Sequence, residues 1–97
     1  MLSLTDARAL DAEHVMQTYG RLPVEFVRGE GTLLFDSEGK RYLDFLSGLA
    51  VTSLGHAHPE VAAALADQAQ TLLHVSNLYY NALQPQLGAR LDALLGG

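Results

Sequence analysis

The stretch PVEFVRGEGTLLFDSEGKRYLDF, residues 23–45, decides the fold class of this chain. Its first residues alternate in polarity, glycines at positions 29 and 31 interrupt the alternation, and TLLF and RYLDF flank the segment DSEGK. Aspartate, serine and glycine each favour turn backbone, so DSEGK predicts a tight turn. Alternation that glycine-containing turns interrupt is typical of antiparallel strands, and we predict a three-stranded meander over residues 24–46.

A helical pattern precedes the predicted meander. The segment TDARALDAEHVMQTYG predicts a helix over residues 5–19, with Thr5 or Asp6 as its cap and Gly20 at its end.

Two further helices are predicted after the meander. Residues 47–58 have no clean period and carry two serines and two glycines, which favours a loop. Pro59 and Pro85 each stand where the first turn of a helix tolerates proline, and apolar residues follow them at helical spacing. The predicted helices cover residues 59–73 and 85–95. One helix, three strands and two helices make one small domain of the α+β class.

The composition excludes several classes of function. Of the 97 residues, 48% are hydrophobic and 18% are charged, as in globular proteins. The net charge is −5 and the six basic residues are scattered, so we expect neither nucleic acid nor a membrane surface as a partner. The chain has no cysteine, no signal-peptide pattern at its start and no apolar run of about 20 residues. We therefore expect a cytoplasmic protein.

The pair His56 and His58 raises the question of a metal site. Two histidines at this spacing share a face only on a strand, and Gly55 and Pro59 disfavour a strand here. No third ligand stands at a recognised spacing. We predict that no metal binds, that His58 caps the following helix, and that His56 makes a local hydrogen bond.

Three other motifs have a structural and a functional interpretation. RGEGT (28–32) lacks the third glycine and the helix of a dinucleotide site, so it predicts a hairpin turn. Asp44 has no acid–base partner nearby in sequence and is expected to be structural. Tyr19 either covers the first helix, which we favour, or faces a ligand.

The segment HVSNLYY (74–80) concentrates hydrogen-bonding and aromatic groups between two predicted helices. Ser76, Asn77, Tyr79 and Tyr80 line a ligand site, or else the tyrosines pack on the helix ends and Asn77 caps a helix. Composition leaves both interpretations open.

The order of these segments resembles one enzyme family. YGRLPVEFVRGEGTLLFDSEGKRYLDFLSGLAVTSLGHAHPEVAAAL (19–65), followed by QAQTLLHVSNLYYN (68–81), resembles the N-terminal part of class III pyridoxal-phosphate-dependent aminotransferases. Within that family it is most similar to the acetylornithine-type members, over about residues 19–95. The resemblance implies part of the small domain and the start of a fold-type I transferase. It also implies a homodimer that uses pyridoxal phosphate, an amino acid and a 2-oxo acid, here for amino transfer from N2-acetylornithine to 2-oxoglutarate in arginine biosynthesis.

The resemblance also assigns roles to four residues. Tyr19 matches an aromatic position near the substrate, and Ser76 and Asn77 match polar residues close to the site. Leu49 stands where ornithine aminotransferases have a substrate-contacting tyrosine, a difference that favours the acetylated substrate over free ornithine.

The covalent chemistry of the family is expected to lie outside these residues. Lys40 is the one lysine of the sequence, and it falls in the predicted DSEGK turn. A solvated turn lysine keeps its proton and is a poor Schiff-base former. The large cofactor domain and the catalytic residues are therefore expected to be absent here, and the 97 residues alone are expected to be inactive. The alternative is an interaction module, derived from an aminotransferase, that has no catalytic role.

Overall fold

The computed structural model describes residues 2–97 and confirms the α+β class. The elements in chain order are α1 (Leu4–His14), β1 (Phe26–Glu30), β2 (Leu33–Asp36), β3 (Arg41–Leu43), α2 (Ser47–Ala50), α3 (Pro59–Thr71) and α4 (Leu83–Leu95). The chain divides into two compact units, the first ending at Ala62 and the second covering Ala63–Gly97.

The three strands form one antiparallel sheet in the order β1-β2-β3. A bulge after Phe26 shifts the register, so that Phe26 pairs with Asp36 and Arg28 with Phe35. The hairpin predicted at RGEGT is present, and Gly31 lies in its turn with φ = 57°, a conformation that glycine adopts without a steric penalty.

The turn between β2 and β3 is organised by the carboxylate of Asp36. Asp36 Oδ1 accepts hydrogen bonds from the N–H groups of Glu38 (3.0 Å) and Lys40 (2.8 Å), and Oδ2 accepts one from the Tyr42 hydroxyl (3.0 Å). Burial raises the pKa of Asp36, but these hydrogen bonds and the nearby Lys40 charge lower it more, and the net pKa is below the ordinary value of 3.8. The ionised carboxylate therefore stabilises this turn.

The first helix is shorter than the sequence predicts. It starts at Leu4 and stops at His14, five residues before the predicted end at Tyr19. The side chain of Gln17 folds back and donates to the carbonyl oxygens of Asp11 (2.9 Å) and Val15 (2.8 Å), which occupies acceptors at the helix end.

The cap of α1 also differs from the prediction of Thr5 or Asp6. Ser3 is the N-cap, and its hydroxyl oxygen accepts from the Asp6 N–H (3.1 Å).

The later helices begin and end close to the predicted bounds. Helix α3 starts at Pro59 and ends at Thr71, two residues before the predicted end. Helix α4 starts at Leu83, two residues before the predicted start, and Asn81 Oδ1 accepts from the N–H of Gln84 (3.0 Å) near its beginning. Gly96 ends α4 in a left-handed conformation (φ = 84°), as the glycine pair in the sequence indicates.

Among residues 2–97, no apolar side chain is buried, and Asp36 is the one buried residue. Leucines are exposed on and beside both long helices: Leu65 on α3, Leu72 directly after α3, and Leu83, Leu87, Leu91, Leu94 and Leu95 on α4. Apolar stripes on helices are normally covered in a folded protein, so these faces are available for contacts with other protein surface.

Candidate functional site

The polar and aromatic loop after α3 is a compact turn of the second unit. The hydroxyl oxygen of Ser76 accepts from the N–H of Leu78 (3.2 Å), and its carbonyl oxygen accepts from the N–H of Tyr79 (3.0 Å). Tyr79 and Tyr80 are left exposed by this turn. Ser76 therefore shapes the loop and leaves its aromatic side chains free for other contacts.

Asn77 lines an open cavity of about 420 Å³ in the same unit. The cavity lies beside the end of α3 and the start of α4, and its polar lining includes Gln68, His74, Asn81 and Gln84. Amide groups can each donate and accept, so this lining can hydrogen-bond a polar ligand.

Tyr19 belongs to the first unit, in the extended segment after α1. Its ring is 75% exposed, and the Cζ atom of Arg21 lies 6.0 Å from the ring centroid. Tyr19 lines an open cavity of about 340 Å³ whose lining also includes Arg8, Asp11 and Arg21. Arg21 is held there by an ion pair with Asp11 (3.3 Å). An exposed aromatic ring near a guanidinium group can contact an anionic or planar ligand.

Leu49 lies in α2, within the segment 47–58 that the sequence predicts to be a loop. Four consecutive residues from Ser47 to Ala50 have positive φ values: 52°, 58°, 66° and 70°. Left-handed backbone costs an L-residue about 1–2 kcal/mol, and glycine escapes this cost at Gly48 alone. This left-handed turn (Ser47–Ala50) presents Leu49 with 81% of its side chain exposed. Backbone strain of this kind persists only where surrounding contacts hold it.

Asp44 and His56 provide such contacts. Asp44 Oδ1 accepts from the N–H groups of Leu46 (3.0 Å) and Ser47 (2.9 Å), at the entrance of the left-handed turn. Asp44 Oδ2 lies 2.6 Å from His56 Nε2, and both side chains are largely shielded from solvent. The Ser47 N–H, and then the His56 side chain, hold the pKa of Asp44 below its ordinary value. An ionised carboxylate only accepts hydrogen bonds, so His56 Nε2 is the donor.

This pair bears on two sequence-based interpretations and corrects the one for His56. Asp44 is hydrogen-bonded, in keeping with the structural role expected of it, and its side-chain partner is a histidine twelve residues later. His56 was expected to bond locally, and its side chain reaches back to the end of β3. Sequence distance concealed the pair, although Asp44 is the one charged residue between Arg41 and His56.

His58 has a different role from His56. Its carbonyl oxygen accepts from the N–H of Ala62 (2.9 Å) at the start of α3. Its Nδ1 atom is buried without a hydrogen-bond partner. Within residues 2–97, no three histidine, cysteine or acidic side chains come together as a metal site would require.

Two further observations concern membranes and the placement of the four candidate residues. No helix in the described part of the chain has the length and apolar character to cross a bilayer. The structure assigns Tyr19 and Leu49 to the first unit, and Ser76 and Asn77 to the second.

The sequence and fold match known aminotransferases. The profile of the family described as aminotransferase class-III matches residues 15–97. An acetylornithine aminotransferase of Gloeobacter violaceus is 59% identical over 81 residues, which are 84% of this chain and 20% of that protein. The chain thus spans about a fifth of the length of this relative.

Solved structures agree with the sequence match. The crystal structure of acetylornithine aminotransferase from Elizabethkingia anophelis superposes on 99% of this chain and 25% of its own, with a TM-score of 0.91 and 35% identity. The ornithine aminotransferase of Toxoplasma gondii superposes on 99% of this chain and 23% of its own, with a TM-score of 0.90 and 32% identity. The chain therefore belongs to the class-III aminotransferase family.

Proposed function

We propose that these residues are the N-terminal part of an enzyme that transfers the amino group of N2-acetylornithine to 2-oxoglutarate, a step of arginine biosynthesis. The observation that carries the proposal is the 59% identity to an acetylornithine aminotransferase over 84% of the chain. The backbone alone is a weaker guide to the substrate, because an ornithine aminotransferase superposes equally well. The homodimer that the resemblance implies and the cytoplasmic location that the sequence indicates are part of the proposal.

Class III aminotransferases depend on pyridoxal phosphate, which stabilises negative charge at the carbon that carries the amino group. The residues described do not fit a complete site for this cofactor. Lys40 is exposed in the β2–β3 turn, where its backbone N–H is bound by Asp36 and its Nζ lies 5.0 Å from the ring centroid of Tyr42. An amine in an exposed turn has no enclosed site around it in which a cofactor could be held. We propose that another part of the polypeptide supplies the attachment lysine.

Within the enzyme, the segment supplies walls of the substrate site. Leu49 presents an apolar side chain where the resemblance implies a substrate contact, and an acyl group is a better match for it than an ammonium group. Ser76 and Asn77 supply a shaped loop and an amide that can hydrogen-bond the polar part of a substrate. None of these side chains forms a covalent bond in the reaction.

The function is tested on the native polypeptide that carries these residues. Its intact mass is measured first, and glutamate formation from 2-oxoglutarate is then followed with N2-acetylornithine, ornithine or succinyldiaminopimelate as the amino donor. The expected result is the highest kcat/KM with N2-acetylornithine. A clear preference for ornithine or succinyldiaminopimelate contradicts the proposal that N2-acetylornithine is the substrate. The lack of any amino transfer contradicts the proposal that the protein is an aminotransferase.

Leu49 gives the substrate proposal a sharper test. Leu49→Tyr introduces a hydroxyl group in the turn. We expect the ratio of kcat/KM for ornithine to kcat/KM for N2-acetylornithine to rise about tenfold, because one added polar contact changes the specificity by about this factor. Leu54→Tyr is the matched control, because Leu54 is a similarly exposed leucine of the same unit, at 69%. An equal change in both variants contradicts a substrate contact at Leu49.

The exposed apolar side chains favour a second candidate, an interaction module without catalytic activity. Such a module needs only an accessible apolar surface, which α3 and α4 provide. A native mass of 10.5 kDa, together with stable association with a longer aminotransferase, would support it. A much longer native chain supports the enzyme.

A further inference from the structure

The loop that carries the left-handed turn is fastened at both ends to the same hairpin. At its start, the N–H of Asp44 donates to the Thr32 carbonyl oxygen (2.8 Å). At its end, the N–H of Gly31 donates to the His56 carbonyl oxygen (2.9 Å), and the His56 N–H donates to the Gly31 carbonyl oxygen (2.8 Å). Residues 45–55 thus leave and return at the β1–β2 turn, the geometry of a compact Ω-loop.

The side chains of Asp44 and His56 join these two ends directly. One carboxylate binds the loop entrance through Oδ1, at the N–H groups of Leu46 and Ser47, and the loop exit through Oδ2, at His56 Nε2. The imidazole lies against Gly29, where even a single added methyl carbon would lie 2.6 Å from the His56 Cβ and Cγ atoms. The hairpin therefore leaves the ring little room to move away from Asp44.

The backbone hydrogen bonds of the left-handed turn use two carbonyl oxygens, both at its start. The Leu46 carbonyl oxygen accepts from Leu49 (3.0 Å) and Ala50 (3.3 Å). The Ser47 carbonyl oxygen accepts from Val51 and from Thr52 (3.2 Å). Three of its four residues are not glycine, so the conformation depends on contacts outside the turn. The Asp44–His56 pair is the shielded polar contact that meets both flanks of this turn.

We propose that Asp44 and His56 are positioning residues, which hold the strained turn Ser47–Ala50 so that Leu49 meets the substrate. This inference rests on the proposed function for its substrate. According to this proposal, the charge-assisted hydrogen bond between Asp44 and His56 closes the loop and thereby maintains the geometry of the turn. The two side chains act through the backbone they hold and have no direct contact with the reacting atoms.

The experiment compares His56→Leu, His56→Gln and the unchanged protein in the whole native polypeptide. Leucine removes the donor to Asp44, whereas the glutamine amide can still donate to it. His58→Leu is the matched control, because the buried Nδ1 of His58 has no partner to lose. The measurements are amide hydrogen exchange over residues 44–56, and KM and kcat for N2-acetylornithine.

In His56→Leu we expect exchange at Leu46 and Ser47 to accelerate about tenfold, the effect of losing one hydrogen bond to a charged group. We also expect KM to rise about tenfold while kcat changes less than about threefold, since the turn contributes to binding and not to chemistry. In His56→Gln we expect the exchange rate and the KM to return most of the way to those of the unchanged protein. In His58→Leu we expect neither the exchange rate nor the KM to change.

The proposal is overturned by unchanged exchange in His56→Leu, and also by faster exchange with an unchanged KM. Failure of glutamine to restore the values overturns it as well. An unmodified protein without transaminase activity contradicts the proposed function instead. The exchange measurement separates the two cases, because it requires no substrate.

Discussion

Gly55 lies against the β1–β2 turn with φ = 89°. A Cβ atom added there would lie 3.0 Å from Gly31 Cα and 3.1 Å from the Gly31 carbonyl oxygen. We expect Gly55→Ala to reduce the free energy of unfolding by about 1–3 kcal/mol, because it adds backbone strain to a close approach. Urea unfolding measures the change. The control is Gly20→Ala, where no atom lies within 4 Å, and an equal loss in both variants would refute the steric argument.

Asp36 and Asp44 make two loops sensitive to acid. The pKa of each carboxyl is lower in the folded protein than the ordinary value of 3.8. Below that value the unfolded chain binds more protons, so the stability from both groups is complete above about pH 4 and is lost as the pH falls through the folded pKa values. Hydrogen exchange at Lys40 and Ser47 should therefore show less protection at pH 3 than at pH 6, after correction for the intrinsic rate. Asp36→Asn should reduce this pH effect at Lys40 and leave it at Ser47.

Two glycines of α4 have opposite requirements. Gly88 lies inside the helix with no atom within 4 Å of an added Cβ, so Gly88→Ala should stabilise the helix by about 0.5–1 kcal/mol. Gly96 has φ = 84° at the C-cap, and Gly96→Ala should destabilise the same helix because alanine pays a steric penalty there. Circular dichroism compares the helical content of the two variants, and a change of the same sign in both would contradict this assignment.

The elements were predictable where the signal is local. The Asp36 turn, the hairpin at Gly31 and the glycine end of α4 each depend on residues close together in sequence. The end of α1 was missed because the Gln17 side chain, beyond the helix, occupies acceptors at its end. The left-handed turn was missed because Ser47, Leu49 and Ala50 carry no preference for positive φ. Only the contact between Asp44 and His56 across the loop reveals what holds it.

The exposed leucines of the long helices determine how the 97 residues behave alone. Without a buried apolar core among the described residues, hydrophobic burial gives them little stability. We expect the isolated chain to be marginally stable and to oligomerise or aggregate, and to form no glutamate from N2-acetylornithine and 2-oxoglutarate. Light scattering and an activity assay measure both properties. A clean monomer with a sharp, concentration-independent unfolding transition would contradict the first expectation, and measurable turnover the second.

The sheet has a consequence for the time at which the protein folds. Every strand pairs only with its neighbour in sequence, and the last strand ends at Leu43. A ribosome adds about 5–20 residues per second, whereas a hairpin forms in about 1–10 μs. The three strands can therefore be paired as soon as they have left the ribosome, well before the leucines of α4 follow. Synthesis would then present a finished sheet first and the apolar helices later, so a paired sheet is already in place when the helix leucines emerge and need cover.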